Sequence, residues 1–158
     1  MVREHREELR EALSGCQALA IAGGHVAALL NRMRLFGIAE LLDGQAVFAW
    51  SGGGMVISER LVLFHDSPPQ GRGLSEILDE GLGLASGVVP FPQPDLRLRL
   101  DDPERVGLIA RRFAPARCVA LPEGAHVVVR DGRLERPASV TLLREDGSCA
   151  PLEEDQPG

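Results

Sequence analysis

A short apolar run that stops at a serine and three glycines constrains this chain more than any other feature. The run is Ala46-Val47-Phe48-Ala49-Trp50, and Ser51-Gly52-Gly53-Gly54 follows it directly. Valine and the aromatic residues favour a buried strand, and the glycines allow a sharp turn because they lack a Cβ. The small-x-Ser-x-Gly pattern is close to the nucleophile elbow G-x-S-x-G, whose strand-to-helix turn exposes a serine hydroxyl. Ser51 is therefore the first candidate for chemistry, and the alternative is an ordinary serine in a glycine-rich loop.

A similar glycine turn occurs earlier in the chain. The apolar segment Ala18–Ala22 predicts a buried strand, and Gly23-Gly24-His25 follows it. Apolar residues then recur three, four and seven positions after Val26, which predicts a helix that Gly37 ends. Strand, glycine turn and helix in this repeated order are typical of a parallel α/β sheet, whose ligands bind at the carboxyl ends of the strands. We expect both glycine turns at that edge.

Shorter patterns predict the other elements. A charged amphipathic helix opens the chain, three prolines prevent the segment after Val89 from forming a central strand, and Asp102 caps a helix that begins with Pro103. We expect a strand at Leu61–Phe64 and a helix at Leu74–Asp79. Pro-Glu-Gly and Asp-Gly turns separate the last strands, so the end of the chain is predicted to be antiparallel. These strands are expected at Val119–Leu121, His126–Arg130 and Val140–Leu143.

Composition indicates the class of protein. The 158 residues fit one α/β domain at residues 1–150, followed by an acidic tail at residues 151–158 that we expect to be frayed. The net charge of −6 opposes binding to nucleic acid, and we expect no membrane segment. The three cysteines and four histidines show no metal-ligand spacing. We therefore expect a reduced, cytoplasmic protein with no metal and no cofactor.

Four motifs keep one order along the chain. They are Gly23-Gly24-His25, Ala49-Trp50-Ser51-Gly52-Gly53-Gly54-Met55, Leu63-Phe64-His65-Asp66 and Gly81-Leu82-Gly83-Leu84. In these motifs the chain resembles the dipeptidase E and cyanophycinase family of serine peptidases. The resemblance implies an α/β fold of the class I glutamine amidotransferase type, with three layers, a mostly parallel sheet and a short antiparallel C-terminal part. It also implies a serine hydrolase that acts on a small peptide or amide.

The resemblance assigns roles by position. Ser51 matches the nucleophile, and Asp66 matches the acid of the catalytic triad. Gly24 and Gly52 match the glycines whose backbone N–H groups form the oxyanion hole. These groups would face the carbonyl oxygen that becomes negative when the serine attacks.

The position of the base departs from the family. The family's histidine aligns with Gln93, and glutamine cannot take a proton from a serine near neutral pH. His25 is a candidate surrogate base if its ring reaches Ser51, and the alternative is a capping or surface role. We interpret His65 as a structural residue of its loop and His126 as an exposed residue of a late strand.

The front of the chain also departs from the family. One predicted helix precedes Leu19, so the family's first strands are missing and a sheet would keep an open edge. We expect a homo-oligomer, or a partner chain that supplies the missing strands. Three functions are open: a serine hydrolase, a pseudoenzyme that serves as a binding or assembly module, and a domain that binds an anion at the helix N-termini near Gly24 or Gly52.

Overall fold

A computed structural model of the protein describes residues 2–63 and 76–156. The helices in these residues are α1 (Val2–Ser14), α2 (Val26–Phe36), α3 (Ile38–Leu41), α4 (Gly52–Val56), α5 (Pro94–Arg97) and α6 (Pro103–Phe113). The strands are β1 (Ala18–Ile21), β2 (Ala46–Ala49), β3 (Arg60–Leu63), β4 (Glu76–Glu80), β5 (Val88–Pro92), β6 (Arg117–Leu121), β7 (His126–Arg130), β8 (Arg133–Ala138), β9 (Thr141–Leu143) and β10 (Cys149–Pro151). None of the helices described is long and apolar enough to cross a membrane.

The described strands form small sheets instead of the large sheet expected from the sequence. Strand β1 pairs with β2 in parallel, whereas β3 with β4 and β7 with β8 are antiparallel pairs. A four-stranded sheet has the order β10-β9-β6-β5, and its parallel pairing is confined to β5 and β6. The prediction of a three-layer, mostly parallel sheet of the class I glutamine amidotransferase type is therefore wrong.

Proline explains why parallel pairing stops at β5. The N–H of Gln93 donates to the carbonyl oxygen of Leu121 at 3.2 Å and so continues the ladder between β5 and β6. Because N–H groups alternate sides along a strand, the nitrogens of Pro90 and Pro92 face the outer edge of β5. That edge lacks donors at both positions, and β5 is an edge strand of its sheet. The prediction that the prolines exclude a central strand is confirmed.

Several element boundaries follow the sequence patterns, whereas β4, β8 and β10 differ from the prediction. Helix α2 ends where Gly37 takes φ 62° and ψ 45°, and the side chain of Asp102 caps α6 by accepting the N–H of Arg105 at 3.2 Å. The helix expected at Leu74–Asp79 is wrong where the chain is described, because Glu76–Glu80 forms β4 against β3. Pairing with a neighbouring strand outweighs local helix propensity there. Strands β8 and β10 have no counterpart in the sequence-based prediction.

Two apolar clusters form the core, one on each face of the β5–β6 pair. Val89 and Phe91 of β5 belong to the larger cluster, which also contains residues of α2, α4 and α6. There the rings of Phe91 and Phe113 meet edge to face, with centroids 5.9 Å apart. Val88 of β5 belongs to the smaller cluster, with Leu134 of β8. Alternate residues of the pair thus fill both sides of the core.

The acidic tail is bonded to the sheets instead of being frayed. The Asp155 carboxylate accepts two hydrogen bonds from the Arg117 guanidinium, at 2.6 and 2.9 Å, and one from the N–H of Leu134 at 2.8 Å. The bonds from Arg117 are the main cause that lowers the pKa of Asp155 to about 2. The tail therefore joins β6 to β8.

Candidate active site

Ser51 lies in a strand-to-helix turn between β2 and α4. Its backbone has φ 53° and ψ −128°, outside the regions that L-residues normally occupy. Strain of this kind costs about 1–3 kcal/mol and persists at functional sites where the surrounding structure enforces it. The side chain is half-buried and makes no capping hydrogen bond to α4. Solvent therefore reaches a serine that is held in a strained bend.

The two glycine turns are packed against each other beside Ser51. A Cβ on Gly23 would lie 2.8 Å from both Cβ and Oγ of Ser51. A Cβ on Gly52 would lie 2.9 Å from the carbonyl oxygen of Gly24 and 3.3 Å from its nitrogen. Such short distances leave no room for a side chain, so the turns need glycine at positions 23 and 52. Gly24 and Gly52 are thus in contact at the carboxyl ends of β1 and β2.

His25 caps the helix that follows the first glycine turn. Its Nδ1 accepts the N–H of Ala28 at 3.3 Å, and the residue is exposed. A neutral imidazole that accepts at Nδ1 carries its proton on Nε2. While this bond is intact, the ring has no free basic nitrogen for Ser51. The capping role is therefore the one that the geometry of His25 supports.

Gln93 is the residue directly after β5, and Ser51 is the second residue after β2. Its backbone is left-handed, with φ 53° and ψ 56°. The side chain is exposed and makes no capping hydrogen bond to α5. Each of the two parallel strand pairs, β1–β2 and β5–β6, therefore has a non-glycine residue with positive φ near the carboxyl ends of its strands.

Ser51 and Gln93 line the same cleft, whose volume is about 800 Å³. This volume lies in the usual range for small-molecule sites. Its walls are largely apolar, with contributions from β5 and β7, and the half-exposed Trp50 stands next to Ser51. Among the described residues, those that contribute polar side chains to the lining include Ser51, Gln93, Asp95, Glu123 and His126. The structure thus brings the nucleophile position and the base position of the sequence-based prediction to one cleft.

Three polar residues of the cleft were not predicted as site residues. Asp95 belongs to α5, whereas Glu123 and His126 follow the carboxyl end of β6. His126 is exposed, as expected from the sequence. The parallel pairing of β6 with β5 is the feature that could have identified these residues, because ligands bind at the carboxyl ends of parallel strands.

Asp66, the expected triad acid, and His65 are outside the described residues. In residues 2–63 and 76–156, no group of three or more His, Cys, Asp and Glu residues could hold a metal ion. Burial raises the pKa of Cys118 to about 12, which keeps this thiol protonated and unreactive. Burial also raises the pKa of Cys149, and neither cysteine lines the cleft.

Comparison of the sequence with protein-family models and with curated proteins gives no match.

Proposed function

We propose that Ser51 is the acyl-accepting nucleophile of a serine hydrolase-like site that acts on a small peptide or amide. The observation that carries the proposal is the backbone of Ser51, with φ 53° at a strand-to-helix turn. In serine hydrolases a strained turn of this kind presents the nucleophilic hydroxyl to the substrate. The proposal needs this local turn and a cleft beside it, and it does not need an extended parallel sheet.

The contact between Gly24 and Gly52 supports the proposal. A Cβ on Gly52 would lie 3.3 Å from the Gly24 nitrogen, and a Cβ on Gly23 would lie 3.2 Å from the Gly52 nitrogen. The Gly52 amide, directly after Ser51, therefore lies close to the first glycine turn, and the Gly24 amide lies close to Gly52. Amides aimed at a developing oxyanion are effective because they need no reorganisation, and each is typically worth about a hundred- to a thousand-fold in rate.

In the proposed reaction, Ser51 Oγ attacks the carbonyl carbon and the bond from that carbon to the leaving group breaks. The leaving amine takes a proton from solvent as it departs, and the hydroxyl proton of Ser51 passes to solvent. Water then attacks the acyl-serine and releases the acid. Because Gln93 cannot act as a base, both steps are slow, and loss of triad members can cost about a million-fold in turnover.

A pseudoenzyme is the second candidate, and Gln93 is the observation that favours it. Its side chain lines the cleft at the position that the resemblance gives to the base. A site without a base keeps its shape and can bind a peptide without cutting it. The cleft would then serve recognition or assembly, with Ser51 as a contact residue.

An activated ester separates the two candidates. With p-nitrophenyl acetate, the proposed hydrolase-like site releases one p-nitrophenolate per chain as Ser51 is acetylated, and Ser51→Ala releases none above the rate of free protein surface. Absence of this release from the wild type, together with its appearance in Gln93→His, would support the pseudoenzyme and oppose the hydrolase.

Self-association through the β1–β2 sheet is also part of the proposal. One face of this sheet carries Ala18, Ala20, Ala46 and Phe48, all exposed, with Phe48 63% exposed. Ala20 and Phe48 are cross-strand partners, so their side chains stand on one side. This face is uncharged, and the exposed ring of Phe48 lies beside small alanine side chains. Two copies of the face can pack together so that the Phe48 ring of each copy lies over the alanines of the other.

A further inference from the structure

The conformation of Gln93 is disfavoured for two independent reasons. A left-handed backbone, here φ 53° and ψ 56°, is uncommon for residues with a Cβ. Pro94 follows it, and the residue before a proline is normally extended because the proline ring clashes with its backbone. Strain that persists in spite of both effects is typical of ligand-binding positions.

The main chain of Gln93 is fixed on both sides. Its N–H donates to the carbonyl oxygen of Leu121 at 3.2 Å, and its own carbonyl oxygen accepts the N–H of Leu96 at 3.1 Å. The backbone groups are therefore satisfied by β6 and α5. The side chain makes no cap to α5 and extends from a rigid point at the rim of the cleft.

The chemistry of the cleft matches an uncharged amide. A glutamine side chain has one acceptor oxygen and two N–H donors, which complement the C=O and N–H of a peptide group. Among the described residues that line the cleft, Asp95 and Glu123 are acidic and none is an arginine. A ligand with an anionic group at this point would be repelled, whereas a peptide group would not.

We infer that Gln93 binds one extended residue of the peptide beside the acyl carbon, with its NH₂ donating to the carbonyl oxygen of that residue and its oxygen accepting the N–H of the same residue. The inference rests on the proposed function because it takes the cleft to be the substrate site. It gives Gln93 a positive role in selecting amides, beyond the loss of a base. Esters that lack the N–H would lose one of the two hydrogen bonds.

Trp50 provides the measurement. It is the one tryptophan of the chain, it is 54% exposed, and it lines the cleft. Its fluorescence can follow titration with N-acetyl-dialanine methylamide and with the matched depsipeptide in which an ester oxygen replaces the second N–H. The titrations use the Ser51→Ala background so that the ester is not consumed.

We expect the amide to bind about fivefold more tightly than the ester, because one hydrogen bond is gained. Adding Gln93→Leu should bring the ratio to about one. Adding Gln93→Glu should keep the preference, since a carboxylate still accepts the N–H, while weakening the binding of both probes. The inference would be overturned if the protein that retains Gln93 bound the amide and the ester equally. It would also be overturned if the ratio of the two affinities were unchanged in Gln93→Leu, or if the amide caused no change in fluorescence. Acetylation of Ser51 by p-nitrophenyl acetate tests the proposed function separately, since this ester offers no N–H for Gln93 to accept.

Discussion

The strain at Ser51 can be measured as stability. Its φ of 53° and ψ of −128° are comfortable for glycine but not for residues with a Cβ. We expect Ser51→Gly to be more stable than Ser51→Ala by about 1 kcal/mol, because glycine relieves the strain whereas alanine retains it. Urea unfolding followed by circular dichroism gives the difference in the free energy of unfolding.

A matched pair of variants at an unstrained serine controls for the general cost of glycine. Ser14 ends α1 and its hydroxyl bonds to the Glu11 carbonyl oxygen at 2.8 Å. At this position Ser14→Gly should be no more stable than Ser14→Ala, since glycine in a helix loses more chain entropy. The same order of stability at both sites would mean that the turn at Ser51 is not strained.

At the residue scale, the sequence predicts the turn at Ser51 more readily than it predicts the backbone conformation of Gln93. An apolar strand followed by serine and glycines is a local pattern, and its turn is a local consequence. Glutamine before proline, in contrast, favours an extended backbone. In the structure its N–H is bonded to the carbonyl oxygen of Leu121, a residue distant in sequence that the local pattern does not encode. Strain imposed from a distance is therefore what sequence reasoning misses here.

Two neighbouring glycines in α4 test how this short helix packs on β1. A Cβ on Gly53 would overlap the carbonyl oxygen of Ile21, whereas a Cβ on Gly54 would lie 3.7 Å from the Ala49 carbonyl oxygen, an ordinary contact. We expect Gly53→Ala to lower the free energy of unfolding by about 2–3 kcal/mol, because backbone atoms must move. Thermal and urea unfolding measure the loss.

The adjacent Gly54→Ala variant is the control. It adds the same methyl group to the same helix without a clash, so it should raise the free energy of unfolding by about 0.5–1 kcal/mol through reduced chain entropy. Equal effects of the two substitutions would contradict the close packing of α4 against the end of β1.

At the element scale, helix caps and the positions of several strands could be predicted, but β4, β8, β10 and the sheets could not. Caps such as Asp102 and Gly37 act on their own helix, so the sequence nearby contains the whole signal. Strand partners are chosen at long range: Val88 pairs with Arg117, and β4 is a strand because β3 lies beside it. The alternation of short apolar runs and glycine turns is compatible with several pairings, and the large parallel sheet was the wrong one.

The hydrogen bonds of Asp155 with Arg117 and Leu134, here called the C-terminal clasp, link the stability of the whole molecule to pH. Asp155 has its pKa lowered from 3.8 to about 2, chiefly by hydrogen bonds from Arg117. A lowered folded-state pKa adds stability above the unfolded value, and this contribution is lost as the pH falls through the folded value. We expect Asp155→Asn to lower the free energy of unfolding by about 1 kcal/mol at neutral pH, since the pair is partly exposed to solvent.

The difference between wild type and Asp155→Asn should shrink as the pH falls from 3.8 to about 2, as measured by urea unfolding across that range. Glu154→Gln is the control, because Glu154 is exposed in the same tail. The clasp would not stabilise the fold as proposed if the difference in the free energy of unfolding stayed constant down to the lowest pH. The same conclusion would follow if an equal difference appeared in Glu154→Gln.

The assembly of the molecule can be tested at the β1–β2 face. Phe48 is 63% exposed there among exposed alanines. We expect light scattering at increasing concentration to give twice the mass of one chain, and Phe48→Ser to give the mass of a single chain, because burial of the ring drives the association. Leu108→Ser is the control, since Leu108 is 50% exposed on α6. A single-chain mass for the wild type at every concentration would contradict self-association.

The most direct test of the account is reaction with a fluorophosphonate probe, followed by intact mass and peptide mapping. The account predicts one phosphonyl group per chain, attached to Ser51, absent from Ser51→Ala and still present in Ser14→Ala. A wild-type protein that stays unmodified, or that carries the label on another residue, would contradict the claim that Ser51 is a nucleophile held ready at the cleft.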